Sequence, residues 1–109
     1  MGRYPEEIDL CLKAIAEDPR NYQAYSNLGL ACALTGDYKK ALEYGWKAVK
    51  MNNNFDEAWN NLGVTQALMG NYKRAGELFQ KALKCNPYYA EAAANLRLAR
   101  ERMKQPKKK

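Results

Sequence analysis

The stretch that decides the fold is residues 59–87, which reads WNNLGVTQALMGNYKRAGELFQKALKCNP. Its apolar residues recur at spacings of three and four on both sides of Gly70-Asn71, and this period predicts two amphipathic helices. Glycine beside a small polar residue ends a helix and starts a tight turn, and Asn86-Pro87 ends the second helix in a similar way. The stretch therefore predicts two helices joined by a short turn.

The same pattern occurs three times at a fixed period of 34 residues, in copies that begin at Gly2, Gly36 and Gly70. Such self-similarity is typical of repeat architectures. Seven positions hold the same residue in all three copies, and in the first copy they are Gly2, Tyr4, Lys13, Ala14, Ala24, Asn27 and Leu28. Extended over the chain, the pattern predicts six helices at residues 5–17, 22–35, 38–51, 56–69, 72–85 and 90–104.

The residues of the decisive stretch that resemble the tetratricopeptide repeat (TPR) are Trp59, Leu62, Gly63, Tyr72, Ala75, Phe79, Ala82 and Pro87. One period earlier, the same resemblance is carried by Tyr25, Leu28, Gly29, Tyr38, Ala41 and Ala48. It implies an all-α fold, a right-handed superhelical stack of antiparallel helix hairpins. If the repeat boundaries are placed as in that family, residues 1–103 form a single domain. Its parts are a lone helix at 2–21, repeats at 22–55 and 56–89 and a capping helix at 90–104, with a basic disordered tail at 104–109.

The composition excludes most classes of enzyme. The 109 residues include no histidine, which removes histidine-based triads, metal ligands and general bases. No phosphate-binding glycine loop and no constellation of catalytic carboxylates is visible, so we expect no enzymatic activity, no cofactor and no metal. The three cysteines, Cys11, Cys32 and Cys85, have no metal or redox spacing and favour a reducing compartment, so we expect a cytoplasmic protein. The sequence has no long uninterrupted apolar run, so we expect no transmembrane segment.

The net charge of +6 arises wholly in residues 97–109, because residues 1–96 hold 11 basic and 11 acidic side chains. Arg97, Arg100, Arg102 and Lys104 predict a basic cap on the last helix. At the other end, Glu7 stands where the later copies have alanine. Because repeat stacks need polar outer faces, we predict that both ends of the stack are caps.

Three asparagines, Asn27, Asn61 and Asn95, recur once per copy, and two interpretations of them stay open. They are amides that bridge neighbouring helices, or, as the resemblance implies, a ladder on the concave surface that holds the backbone of an extended peptide. Aliphatic residues follow on the same helix side, as a groove lining or as ordinary core. The predicted groove residues are Asn27, Asn61, Asn95, Leu30, Val64, Leu98, Leu34, Leu68, Gln23, Glu57, Ser26 and Asn60.

The resemblance implies a non-catalytic scaffold or adaptor that binds a protein or peptide with apolar side chains. Some members of the family hold acidic chaperone tails with lysine and arginine. The matching positions here are Ser26, Leu30, Asn61, Glu91 and Asn95, of which only Asn61 fits. Because amides alone leave carboxylates uncompensated, we expect no binding of acidic chaperone tails.

Two other functions remain open. The unpaired helices at the two ends of the chain could stack head to tail and form a homo-oligomer. The basic C-terminus could bind an anionic surface or nucleic acid, which we rank lower. The repeated Lys13, Lys47 and Lys81 each follow an acidic residue by four positions, which predicts solvated surface ion pairs.

Overall fold

The computed structural model describes residues 3–104, so residues 105–109, which make up most of the predicted basic tail, lie outside the described part. The helices are α1 (Tyr4–Glu17), α2 (Tyr22–Leu34), α3 (Tyr38–Met51), α4 (Asp56–Leu68), α5 (Tyr72–Cys85) and α6 (Ala90–Lys104). Each predicted helix is confirmed to within one residue at either end. Lys104, assigned by the sequence both to the capping helix and to the tail, is the last residue of α6.

Local signals fix where the helices begin and end. The side chains of Asn21 and Asp37 accept hydrogen bonds from the backbone N–H three residues later, at 3.0 and 3.3 Å, and so cap α2 and α3. Gly36 and Gly70 have φ of 91° and 88°, a left-handed conformation that glycine adopts without steric cost. The two equivalent glycines therefore make the tight turns inside the two central hairpins.

The helices form two layers of different tightness. The backbones of α2, α4 and α6 pack against one another in succession, whereas within residues 3–104 no α-carbons of α1, α3 and α5 come within 8 Å of one another. A stack whose inner helices touch while its outer helices splay is curved, with α2, α4 and α6 on the concave side. The α-carbon trace measures 46 × 31 × 20 Å along its principal axes.

Close backbone crossings hold each hairpin together. A Cβ atom added to Gly29 would lie 3.0 Å from the carbonyl oxygen of Ala41 and 3.2 Å from the backbone nitrogen of Gly45. One period later, a Cβ at Gly63 would overlap the ring of Phe79. The small residues are therefore needed where a helix of the inner layer crosses the next helix of the outer layer.

The two ends of the stack are less well packed than its centre. No residue of α1 is buried. Leu10 is 65% exposed, whereas Leu78, two periods later, is 2% exposed because α4 and its neighbours cover it. An inner-layer helix precedes α3 and α5 but not α1, and this difference leaves the Leu10 side of α1 uncovered.

Candidate functional site

The asparagine ladder is tied together by hydrogen bonds between successive inner helices. Asn61 donates through Nδ2 to the Oγ and carbonyl oxygen of Ser26, at 2.9 and 3.4 Å. Asn95 donates through Nδ2 to Oδ1 of Asn60 at 3.1 Å, an equivalent bond one repeat later. Asn27 has no inner helix before it and is exposed. Two of the three ladder amides, those of Asn61 and Asn95, therefore bridge neighbouring helices. Because their Nδ2 atoms are used in these bonds, their Oδ1 atoms are the ones that can accept an N–H from a ligand.

Two predicted groove residues prove to be part of the interior. Ser26 and Asn60 are both 0% exposed, so neither can line a surface groove. They lie one position before a ladder asparagine, where the inner helices face one another, and their polar atoms receive the ladder bonds. Asn60 also donates to Oε2 of Glu91 at 3.5 Å. The prediction was wrong for these two residues because successive helix positions turn about 100° away from each other.

The predicted aliphatic lining is on the surface. Leu34, Leu68 and Leu98 are between 43% and 49% exposed, while Leu30 and Val64 are partly buried. Gln23 and Glu57, at the start of α2 and α4, are exposed. Exposed aliphatic side chains that recur along one face form a strip able to bind apolar groups.

The strip opens into two hollows that are equivalent by the repeat. The first, of about 420 Å³, is lined by Asn27, Leu30 and Leu34 together with Glu7, Leu10 and Cys11 of α1. The second, of about 380 Å³, lies 68 residues later and is lined by Asn95, Leu98, Val64, Leu68, Tyr72 and Arg102. Each hollow combines a ladder asparagine with aliphatic side chains, the arrangement expected of a site for an apolar side chain beside a backbone.

Arg102, predicted as part of the basic cap, also lines the groove. Its Nη1 donates to the hydroxyl of Tyr72 at 3.3 Å, and its guanidinium lies 5.9 Å from the centre of that ring. The repeat period could have found this position, because residue 102 corresponds to Leu34 and Leu68. Arg97, Arg100 and Lys104 are exposed on α6, as a cap requires.

Two of the three repeated lysines contact aromatic rings instead of the predicted acids. Lys47 Nζ lies 5.4 Å from the ring centre of Tyr25, and Lys81 Nζ lies 4.9 Å from that of Trp59. Among residues 3–104 the one ion pair within 4.0 Å joins Arg74 to Glu77, so the predicted acid–lysine pairs are absent. Cation–π contact with a residue of the preceding helix is therefore a better reason for the repetition.

Two sequence models of the tetratricopeptide repeat match the chain, at residues 10–43 and 56–89, and together they cover more than half of it. The chain belongs to the tetratricopeptide repeat family. The first matched window begins inside α1. A repeat model can match there because a window of one full period contains every feature of the unit wherever it begins. No curated protein sequence matches the chain. The division into a lone helix, two repeats and a cap stays a prediction.

Solved structures share the fold, and two of them are TPR domains. The first TPR of Spaghetti (RPAP3) bound to the HSP90 peptide SRMEEVD is 22% identical, with a TM-score of 0.84 over 94% of this chain and 81% of that one. The Sgt2 TPR domain from Aspergillus fumigatus is 24% identical, with a TM-score of 0.85 over 97% and 76%. MamA is 26% identical, with a TM-score of 0.76 over 86% of this chain and 55% of that one. The expected exclusion of acidic tails gains no support from these neighbours, because one of them holds an acidic peptide.

The three cysteine thiols of this TPR domain have raised pKa values. Burial is the main cause that raises the pKa of the thiols of Cys11, Cys32 and Cys85, which keeps them protonated near neutral pH. Within the described range, no group of three or more His, Cys, Asp or Glu side chains is placed to hold a metal ion. Residues 3–104 also contain no helix with the length and apolar content needed to cross a bilayer.

Proposed function

We propose that the chain is a non-catalytic module that binds a peptide segment of a partner protein in the groove formed by α2, α4 and α6. One observation carries the proposal: exposed leucines recur at the repeat period beside asparagines whose amide groups are fixed by the fold. A fixed amide reads main chain without demanding a particular sequence, and an aliphatic strip contributes affinity.

The ligand is an extended segment with apolar side chains. Oδ1 of Asn61 and Oδ1 of Asn95 accept backbone N–H groups, because their Nδ2 atoms are occupied within the protein. Apolar side chains of the ligand fill the two hollows beside Leu30 and Leu98. The hollows lie at the two ends of the inner layer, so a single segment that fills both runs along the whole groove.

Acidic chaperone tails are a poor match for this groove, although the RPAP3 neighbour binds one. Of the positions that would carry the clamp, Ser26 is fully buried and Glu91 is itself an acid that repels carboxylates. Arg102 is the one cation that lines the second hollow within the described residues. We therefore expect the peptide SRMEEVD to bind weakly or not at all, and a titration with it tests this point directly.

Selection from a displayed library of random peptides tests the groove without knowledge of the partner. We expect the wild type to enrich peptides rich in aliphatic residues. The double variant Leu34→Asp/Leu68→Asp should weaken their Kd by at least about tenfold, because a buried leucine contributes about 1.5–3 kcal/mol. These leucines are exposed, so aspartate at their positions leaves the core intact.

The matched control is Leu12→Asp/Met51→Asp, which places the same charges at comparably exposed apolar positions of α1 and α3. It should bind the selected peptides as the wild type does. If both variants lost peptide binding equally, or both retained it equally, the peptides would have to bind outside the groove. Failure to enrich any peptide would count against peptide binding itself.

Head-to-tail self-assembly is the second candidate, favoured by the exposed Leu10 on the uncovered side of α1. It is opposed by Arg97, which stands where Gly29 and Gly63 allow a close helix crossing within the chain. A junction in the register of the repeat would have to accommodate a long charged side chain at that crossing. Light scattering during size exclusion decides, because self-assembly requires a mass that rises with concentration.

Binding of an anionic surface through the basic C-terminus is the third candidate. Arg97, Arg100 and Lys104 are exposed on α6 and support it. It predicts an affinity for anionic vesicles or oligonucleotides that falls steeply with salt and is lost when residues 104–109 are deleted.

A further inference from the structure

A third hollow, called here the outer hollow, lies among the outer helices and is separate from the groove. It measures about 780 Å³ and lies between α3 and α5, whose backbones do not pack directly against each other within the described residues. Its apolar lining is formed by Trp46 and Val49 of α3, Trp59 of α4 and Cys85 of α5. Trp46 and Trp59 meet edge to face with ring centres 5.8 Å apart. Trp46 is only partly buried, so part of an indole ring is available to a ligand.

The rim of this outer hollow is basic. Lys50 of α3 and the pair Lys81 and Lys84 of α5 line it, and all three are exposed. Within the described residues no acidic side chain lines the hollow, and none lies within 4.0 Å of these ammonium groups. Three unpaired cations around an apolar floor are notable in a repeat body whose residues 1–96 are formally neutral. The charge complementary to this rim is a set of carboxylates.

We propose that the outer hollow binds an acidic segment of a partner protein, with carboxylates at Lys50, Lys81 and Lys84 and an aliphatic side chain on Trp46 and Val49. The segment contributes charge at the rim and apolar area at the floor, and each part alone would bind weakly. The proposal goes beyond the groove, since no residue of the outer hollow lines it.

An acidic protein segment fits this hollow better than a single-stranded nucleic acid. Stacking of bases needs free ring faces. Here Lys81 already lies 4.9 Å from the ring centre of Trp59, and the guanidinium of Arg74 lies 5.8 Å from that of Trp46. A base would have to displace these cations, whereas a carboxylate reaches them from outside and leaves the cation–π contacts in place.

Tryptophan fluorescence provides a direct assay, because the chain has two tryptophans and both line the outer hollow. The probe is the peptide Ac-Glu-Glu-Leu-Leu-Glu-Glu-amide, and the comparison ligands are its glutamine counterpart, Ac-Gln-Gln-Leu-Leu-Gln-Gln-amide, and an oligothymidylate. We expect the acidic peptide to change the emission in a saturable way and the glutamine peptide to have little effect. The variant Lys50→Gln/Lys84→Gln should weaken binding of the acidic peptide about tenfold, since an exposed ion pair contributes up to about fivefold.

The matched control Lys39→Gln/Lys73→Gln removes the same charge from exposed positions near the starts of α3 and α5. It should retain wild-type affinity, as should the groove variant Leu34→Asp/Leu68→Asp. Equal binding of the two peptides, equal loss in both lysine variants, or a response to the oligonucleotide alone would overturn the proposal. None of these outcomes bears on the groove, whose test uses other residues and another readout.

Discussion

One methyl group should have opposite effects at two glycines that both lie inside helices. In α4, a Cβ at Gly63 would lie 2.4 and 2.6 Å from two ring carbons of Phe79. In α5, a Cβ at Gly76 would have its nearest neighbour, Cδ1 of Leu96, at 3.6 Å, an ordinary contact distance. We therefore expect Gly63→Ala to destabilise the protein and Gly76→Ala to stabilise it.

The magnitudes follow from packing and from helix propensity. Carbon atoms pack best at about 3.5–4.0 Å, so the ring of Phe79 would have to retreat by about 1 Å. Phe79 is buried against Ala75, Leu96 and Ala99, which places the cost near the upper end of overpacking, about 3 kcal/mol. Either substitution gains about 1 kcal/mol from helix propensity. The expected net changes are a loss of about 2 kcal/mol for Gly63→Ala and a gain of about 1 kcal/mol for Gly76→Ala.

Urea unfolding followed by far-UV circular dichroism measures both changes. In thermal unfolding, they correspond to a Tm lowered by roughly 10 °C for Gly63→Ala and raised by roughly 5 °C for Gly76→Ala. Phe79→Leu removes part of the overlap, so the double variant Gly63→Ala/Phe79→Leu should be more stable than additivity predicts. Equal signs for the two alanine variants, or strict additivity in the double variant, would refute the packing argument.

Three further measurements probe buried and partly buried groups. Asn60→Leu should cost about 1–3 kcal/mol in urea unfolding, because it removes the acceptor of the amide of Asn95; a neutral effect would make the bridge dispensable. Burial, with the nearby acids, raises the pKa of Tyr89 from 10.0 to about 12, so the folded protein keeps a proton that the unfolded chain loses. The free energy of unfolding should therefore decrease as pH rises through this range, by only about 1 kcal/mol because the ring is partly exposed. In Tyr89→Phe this contribution should be absent, while the pH dependence that comes from other groups should remain. Cys32 is buried with a raised pKa, so it should react with a thiol reagent only on unfolding, and prompt reaction would contradict its placement.

Local interactions explain why the helices and the repeat could be predicted. A helix is fixed by contacts between residues three and four apart and by caps such as Asn21 and the positive-φ glycines Gly36 and Gly70. These contacts lie within one 34-residue unit, so the unit could be recognised from its own sequence. The surface strip of Leu34 and Leu68 also follows from helical spacing once the family resemblance sets which face is inner.

The polar and charged residues could not be placed in the same way. Asn60 and Asn61 are neighbours in sequence, yet Asn60 is fully buried and Asn61 is only partly buried, because α6 packs over the first of them. Lys47 and Lys81 were predicted to pair with acids of their own helix. Their ammonium groups instead lie over aromatic rings of the preceding helix in the same hairpin, and residue spacing within one helix does not reveal such a contact.

The sequence by itself determined six helices, their 34-residue period and the small residues at which hairpins cross. Only the tertiary structure decided that the ladder amides are tied to buried Ser26 and Asn60, and that three lysines surround an outer hollow. The physical reason is the range of the interactions. Helix formation depends on neighbours within a turn, whereas burial and charge pairing depend on the angles between helices about 35 residues apart in the chain, which the packing of the whole stack sets.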